Sequence, residues 1–135
     1  PKTSEARRFF RCAVQRREEA DVLFDAGYHT GAVYLAGYCV ECMLKALLLS
    51  ITPRVQVQGV LALFRGGKAH DYNQLWAWYR SQGGPSAPSA VNRAFGFIQG
   101  WSTDLRYSTV AWGRSDADRF LDSVDVIMEW AKGRL

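Results

Sequence analysis

The chain has 135 residues, of which 48% are hydrophobic and 22% are charged. This length suits one domain with a hydrophobic core, and the hydrophobic fraction argues against intrinsic disorder. The net charge of +4 is compatible with an anionic partner but is too small to indicate one. Three cysteines are too few for a disulfide framework, so a reduced, cytoplasmic protein is expected.

The first two predicted helices form a hairpin. Apolar side chains recur at helical spacing from Ser4, the expected cap, to about Ala26. A second helix is expected from a cap at Thr30 to about Ser50, because Pro53 cannot continue it. Two long helices joined by a few residues pack antiparallel, so the N-terminal half is predicted to be a helical hairpin.

The segment TGAVYLAGYCVECMLKALLLS, residues 30–50, is the most informative part of the chain. Its two charges, Glu41 and Lys45, lie on one helical stripe with Tyr34 and Tyr38. A helix that is apolar nearly all round belongs in the centre of a bundle, so this stripe must be paired or must face a cleft. A membrane span is disfavoured, because each charge would cost roughly 2–3 kcal/mol in the hydrocarbon.

Residues 51–69 are the least regular part of the pattern. One short helical turn is expected at Val60 to Phe64, and the pair Gly66 and Gly67 ends it. A third helix begins near His70, whose imidazole could help to cap that helix or could act as a base.

The last part of the chain predicts two more helices around an irregular stretch. A helix covers residues 91–98, and residues 100–113 are irregular. Ser115 and Asp118 resemble a capping box that opens the final helix. The expected fold is all-α, a single domain over residues 1–135 that forms a bundle of about five helices.

An arginine in the irregular stretch is the expected partner of the buried carboxylate. Arg106 lies beside Tyr107 in the segment WSTDLRYS, residues 101–108. Its guanidinium could neutralise Glu41 bidentately, or it could bind a phosphate. We expect an Arg106–Glu41 pair that ties the irregular stretch to the central helix, because an unpaired buried carboxylate is costly.

Cys39 and Cys42 have the spacing of half a metal site. A tetrahedral zinc ion needs two more ligands, and the remaining candidates, Cys12, His29 and His70, have no paired spacing. We therefore expect both cysteines to pack as small hydrophobic side chains and to hold no metal. The sequence indicates no other cofactor.

Three segments, in order, resemble the HEPN domain family. The helix ending GAVYLAGYCVECMLKALLL is similar to the family's second helix, and HDYNQL, residues 70–75, resembles its His-x-x-x-x-Leu element. WSTDLRYS resembles the segment before the family's last helix. The resemblance implies a small all-α bundle that forms a homodimer, and some members are encoded beside a minimal nucleotidyltransferase in toxin–antitoxin pairs.

The resemblance does not carry over the family's catalytic motif. Many catalytic members are metal-independent RNases that use Arg-x4-6-His near the late segment, and Arg106 has no His at the required positions. Arg65 and His70 match the spacing formally, but they precede the third helix, and chance also explains the match. The expected function is a dimeric module without the usual RNase centre that binds a nucleotide, an RNA or a partner nucleotidyltransferase.

The polar positions shared with the family are the expected ligand-binding residues. They are Tyr38, Glu41, Lys45, His70, Arg106 and Tyr107. One alternative is a divergent metal-independent endoribonuclease in which His70 is the general base and Arg65 or Arg106 stabilises the phosphate. A third possibility is a purely structural interaction protein.

Overall fold

The computed structural model describes residues 3–135 and folds them into six α-helices. These are α1 (Ser4–Asp25), α2 (His29–Ile51), α3 (Val57–Leu63), α4 (Tyr72–Ser81), α5 (Ser89–Ile98) and α6 (Arg114–Lys132). Short 3-10 turns lie in the connections at Arg54–Gln56, Gly67–His70 and Thr103–Tyr107. Since residues 3–135 contain no strand, the predicted all-α class is confirmed, with six helices instead of about five.

The predicted hairpin of α1 and α2 is held by a seam of small residues. Ala6, Ala13 and Ala20 are fully buried and lie seven residues apart, so they share one face of α1. Their small side chains let α1 approach α2 closely along its length. Gly27 makes the tight turn between the helices with φ +87, a left-handed conformation that favours glycine.

Helix α2 is the central element and packs against α1, α4 and α6. By length and composition it could cross a membrane, with a mean hydropathy of 1.6 over its apolar window. However, 78% of that window is buried among the other helices. The predicted central position of α2 is confirmed, because the bundle covers most of its surface.

Helices α4, α5 and α6 complete the core around α2. Their largest fully buried side chains are Leu75, Tyr79, Ile98, Phe120 and Ile127. Helix α6 packs against both α2 and α5, and α4 packs against α2. The start of α4 and the chain that follows α5 are thereby placed beside the middle of α2.

Two predicted caps of the hairpin are wrong. Thr3, not Ser4, caps α1, because its hydroxyl accepts a hydrogen bond from the Ala6 N–H at 3.1 Å. Thr30 lies inside α2, which begins at His29. The Thr30 hydroxyl instead accepts a hydrogen bond from the Trp112 N–H at 2.9 Å, which ties the connection before α6 to the start of α2.

The helix boundaries also differ from the prediction in two later regions. Helix α6 begins at Arg114 after Gly113 and has no side-chain cap, so the predicted capping box is wrong. Ser115 and Asp118 both lie inside the helix, past the capping position. In the region predicted to hold one turn, α3 is a seven-residue helix, Val57–Leu63.

Candidate ligand-binding site

A buried carboxylate lies at the centre of the candidate site. Glu41 on α2 is only 3% exposed. Its Oε2 lies 3.7 Å from the Lys45 ammonium, and its Oε1 forms a hydrogen bond with Nδ1 of His70. Both oxygens therefore have a partner, which a buried carboxylate requires. The predicted need for pairing from another element is met by His70.

Arg106 does not pair with Glu41, so that prediction is wrong. Arg106 is exposed, and it has no ion-pair partner among residues 3–135. Its guanidinium carbon lies 5.0 Å from the centroid of the neighbouring Tyr107 ring. The 3-10 turn Gly67–His70 brings an imidazole to the carboxylate from a different part of the chain.

The Lys45 side of the carboxylate is closed by aromatic rings. The Lys45 ammonium lies 5.8 Å from the ring centroid of Phe9 and 5.2 Å from that of Phe64. These two rings contact each other edge to face at 5.5 Å. Since Lys45 is only 6% exposed, its surroundings favour a structural role, with the ammonium held by Glu41 and two aromatic faces.

The His70 side of the carboxylate is open. The His70 side chain is 43% exposed although its Nδ1 contacts a buried oxygen. His70 does not cap α4, because Asp71 does so by accepting hydrogen bonds from the N–H groups of Asn73 and Gln74 at 2.8 and 3.3 Å. The imidazole is therefore oriented by Glu41 and remains accessible from solvent.

His70 lies on the wall of a cleft of about 290 Å³. The cleft lies between the start of α4 and the chain that follows α5, and we call it the His70 cleft. It is lined by Gly67, His70, Asp71, Tyr72, Asn73, Gln99, Trp101, Ser102 and Thr103. Its lining includes imidazole, amide and hydroxyl side chains together with the Asp71 carboxylate, which suits a hydrogen-bonding ligand.

An aromatic cluster fixes the inner wall of the His70 cleft. The Trp101 indole stacks on the Tyr72 ring at 5.2 Å and meets the Tyr38 ring edge to face at 5.1 Å. Trp101 Nε1 donates to the Tyr34 carbonyl at 3.2 Å. A Cβ atom at Gly37 would lie 1.9 Å from Trp101 Nε1, so glycine is required there for close approach of the indole.

Tyr38 connects this cluster with the polar centre. Its ring centroid lies 6.4 Å from that of His70. The pKa of Tyr38 is raised, and burial of its ring is the main cause. The Tyr34 hydroxyl and the Glu41 charge raise this pKa further, whereas the Arg106 charge lowers it. Tyr38 is thus a neutral hydrogen-bonding group at physiological pH.

The cysteines of α2 are packed among hydrophobic groups. Cys39 is fully buried, with its Sγ 3.1 Å from Sδ of Met128. Burial raises the pKa of the Cys42 thiol to about 12 and raises that of Cys39 as well. Within residues 3–135, no three His, Cys, Asp or Glu side chains are grouped so that they could hold a metal ion.

The structure brings together only some of the predicted site residues. Tyr38, Glu41, Lys45 and His70 form one connected set. Arg106 and the 76% exposed Tyr107 belong to the neighbouring turn Thr103–Tyr107, which packs against α2. Arg65 is exposed after the end of α3.

Sequence reasoning missed two amide side chains of the cleft. The Asn73 amide nitrogen donates to the Gln99 Oε1 at 3.0 Å, which joins α4 to the end of α5. Asn73 lies within the segment HDYNQL, which resembles a family element, but that resemblance assigns no role to Asn73. Gln99 carried no local signal, because its contact depends on how α4 and α5 pack.

The family of the chain follows from comparison with known proteins. Residues 6–134 match the model of the HEPN domain family. The chain belongs to the HEPN domain family. A crystal structure of an archaeal HEPN homologue has a similar fold, with a TM-score of 0.65 and 22% sequence identity over 98% of each chain. A search of curated proteins found no match.

The match confirms the predicted HEPN family, but the chain departs from the Arg-x4-6-His pattern of many catalytic members. The arginine of the late segment, Arg106, is followed by no suitably spaced histidine. The histidine that does face a cleft, His70, comes from the connection before α4 and is held by Glu41. The site therefore differs from that pattern in its residues and in their position in the chain.

Proposed function

We propose that this HEPN-domain protein binds RNA at the His70 cleft. The observation that carries the proposal is the buried Glu41 carboxylate, which orients the half-exposed His70 imidazole on the cleft wall. A protein gains little stability from keeping an ionic group in so apolar a helix. An oriented polar group beside an open cleft is instead typical of a binding or catalytic site.

Groups around the cleft suit a nucleic-acid ligand. Arg106 and Tyr107 on the adjoining turn are both exposed, and they supply a phosphate-binding cation and an aromatic ring for stacking. Ser102 and Thr103 add hydroxyl groups at the cleft itself. Hydroxyl, amide and arginine side chains together are able to bind phosphate and ribose oxygens.

Binding of a fluorescently labelled single-stranded RNA, measured by anisotropy in EDTA, tests this proposal. We expect His70→Ala and Arg106→Ala each to weaken binding roughly tenfold, the effect of losing about 1.4 kcal/mol of interaction. His29→Ala and Arg11→Ala are the matched controls, because they remove the same groups away from the cleft and should leave affinity unchanged. Equal affinity for all four variants would contradict the proposal.

A second candidate function is metal-independent RNA cleavage, which the Glu41–His70 contact specifically favours. With Nδ1 donating to Glu41, the neutral imidazole has its other nitrogen, Nε2, free to accept a proton. His70 would remove the proton of a ribose 2′-hydroxyl, whose oxygen then attacks the adjacent phosphorus. The P–O5′ bond would break, giving a 2′,3′-cyclic phosphate and a 5′-hydroxyl that takes up the proton, while Arg106 or Arg65 would stabilise the phosphate under attack.

Cleavage is tested by incubating purified protein with RNA in EDTA. We expect products ending in a 2′,3′-cyclic phosphate, and we expect both His70→Ala and Glu41→Gln to abolish them. Activity that persists in His70→Ala would exclude His70 as the base. Binding without cleavage would leave RNA binding as the function.

We also propose that the protein forms a homodimer and that a minimal nucleotidyltransferase is a partner. The sequence argument for dimerisation, that a single chain could not cover α2, loses its force because the bundle buries most of that helix. The dimer proposal now rests on what membership of the HEPN family implies, and exposed apolar side chains such as Val22, Tyr28, Val55 and Val110 are available for contacts with a second copy. Sedimentation at tens of micromolar should give twice the 15.2 kDa chain mass.

A further inference from the structure

We infer that a second cleft, continuous with the His70 cleft, holds one unpaired base of the bound RNA. This inference rests on the proposed RNA binding and adds the position at which a base of the RNA is recognised. We call the second cleft the base cleft. It has a volume of about 240 Å³ and lies between α4 and α5.

The two clefts share a wall. The base cleft is lined by Tyr72, Asn73, Trp76, Asn92, Phe95, Gly96 and Gln99. Three of these, Tyr72, Asn73 and Gln99, also line the His70 cleft. A ligand that crosses from one cleft to the other therefore passes directly over the Asn73 and Gln99 amides.

Aromatic side chains form one side of the base cleft. The rings of Trp76 and Phe95 lie 5.5 Å apart at an angle of 45°. A Cβ atom at Gly96 would meet no atom within 4 Å, so this part of α5 leaves open space for a ligand. Phe95 is buried, so the half-buried Trp76 ring supplies the accessible aromatic surface on which an unpaired base can stack.

The amide pair can recognise the edge of a base. Because Asn73 donates to Gln99 Oε1, the Asn73 oxygen remains an acceptor and the Gln99 amide nitrogen remains a donor. Both side chains are exposed. A hydrogen-bond donor and an acceptor side by side can pair with the neighbouring acceptor and donor groups along the edge of a base.

The lining of the base cleft argues against other ligands. Among residues 3–135, no Lys or Arg side chain lines this cleft, so a phosphate would find no cation there. An apolar peptide side chain would leave the amides without partners, which carries a desolvation cost. A neutral, flat, hydrogen-bonding group is the ligand that satisfies both the rings and the amides.

The test compares the affinities of the intact protein for labelled six-nucleotide homopolymers of A, C and U. Asn73→Ala and Gln99→Ala should each weaken binding of the preferred homopolymer about five- to tenfold, and should bring the three affinities closer together. Gln82→Ala, at an exposed residue just after α4, is the matched control. His70→Ala should lower all three affinities alike.

The outcomes separate the base cleft from RNA binding itself. If the parent protein binds no homopolymer, both the proposed function and this inference are overturned. If the parent binds and His70→Ala weakens binding while the amide variants behave like Gln82→Ala, only the base cleft is excluded. A uniform loss for all homopolymers in the amide variants would also exclude base recognition. Thermal unfolding of each variant verifies that it is folded.

Discussion

The two sides of Glu41 differ in the access that solvent has to them. On one side Lys45 has a side chain only 7% exposed, enclosed by the rings of Phe9 and Phe64. On the other side the His70 side chain is 43% exposed on the wall of a cleft. One carboxylate thus neutralises a buried cation and orients an accessible imidazole.

This difference predicts which substitutions change stability and which change the proposed ligand binding. The Lys45 side is completed by residues of α1 and by Phe64 just after α3, and it needs nothing from solvent. The His70 side is completed by a short turn and by the chain after α5, which leave room for a ligand. We expect changes on the first side to lower the free energy of unfolding, and changes on the second side to lower ligand affinity.

The largest expected effect is that of Glu41→Ala. It leaves the buried Lys45 ammonium without a counter-charge, and breaking a buried pair in this way typically costs about 3–5 kcal/mol. Urea unfolding followed by circular dichroism measures the change. Glu129→Ala, at an exposed position of α6, is the control and should stay within about 0.5 kcal/mol of the parent. Equal stability of both variants would show that the pair is not important for folding.

Gly37→Ala should have the next largest effect. The added methyl group would lie 1.9 Å from Trp101 Nε1, so the indole must move away from Tyr38 and Tyr72. Overpacking of this kind costs about 1–3 kcal/mol. Gly59→Ala in α3 is the matched control, because a Cβ there meets nothing within 4 Å and alanine favours a helix. A Gly37→Ala variant as stable as the parent would contradict the close packing of Trp101.

His70→Ala should cost only about 1 kcal/mol of stability. The variant removes one hydrogen bond to Glu41, but that oxygen becomes accessible to water and Lys45 still provides the counter-charge. Urea unfolding should place this variant close to the parent and far from Glu41→Ala. A loss of 3 kcal/mol or more would mean that His70 belongs to the structural side of the carboxylate.

The sequence predicted those features that depend on local patterns. Apolar periodicity predicted the hairpin and the central α2, and helical spacing placed Tyr38, Glu41 and Lys45 on one stripe. The need of Glu41 for a partner followed from burial alone. These predictions required only the geometry of one helix.

The partner of Glu41 could not be predicted in the same way. Arg106 and His70 are both polar residues from connections, and either could reach α2. The choice depends on the turn Gly67–His70 and on α3, a helix longer than the expected turn. Likewise, the contact of Asn73 with Gln99 arises only when α4 and α5 pack together. Such contacts depend on tertiary packing, which a local pattern does not contain.

Arg106→Ala is expected to have the smallest effect on stability. It tests most directly whether residues near the His70 side of Glu41 contribute to ligand binding and not to folding. The predicted Arg106–Glu41 pair would have made this variant strongly destabilised. In the structure Arg106 is exposed, has no ion-pair partner among residues 3–135 and lies over the neighbouring Tyr107 ring, so the loss should be at most about 0.5 kcal/mol. RNA affinity should nevertheless fall roughly tenfold, because the guanidinium is an exposed cation on the turn Thr103–Tyr107, whose first residue lines the His70 cleft. Urea unfolding and RNA anisotropy on the same preparation measure the two quantities.

Destabilisation of Arg106→Ala by about 3 kcal/mol or more would support the predicted Arg106–Glu41 pair. Unchanged stability together with unchanged RNA affinity would show that Arg106 is not part of the binding site.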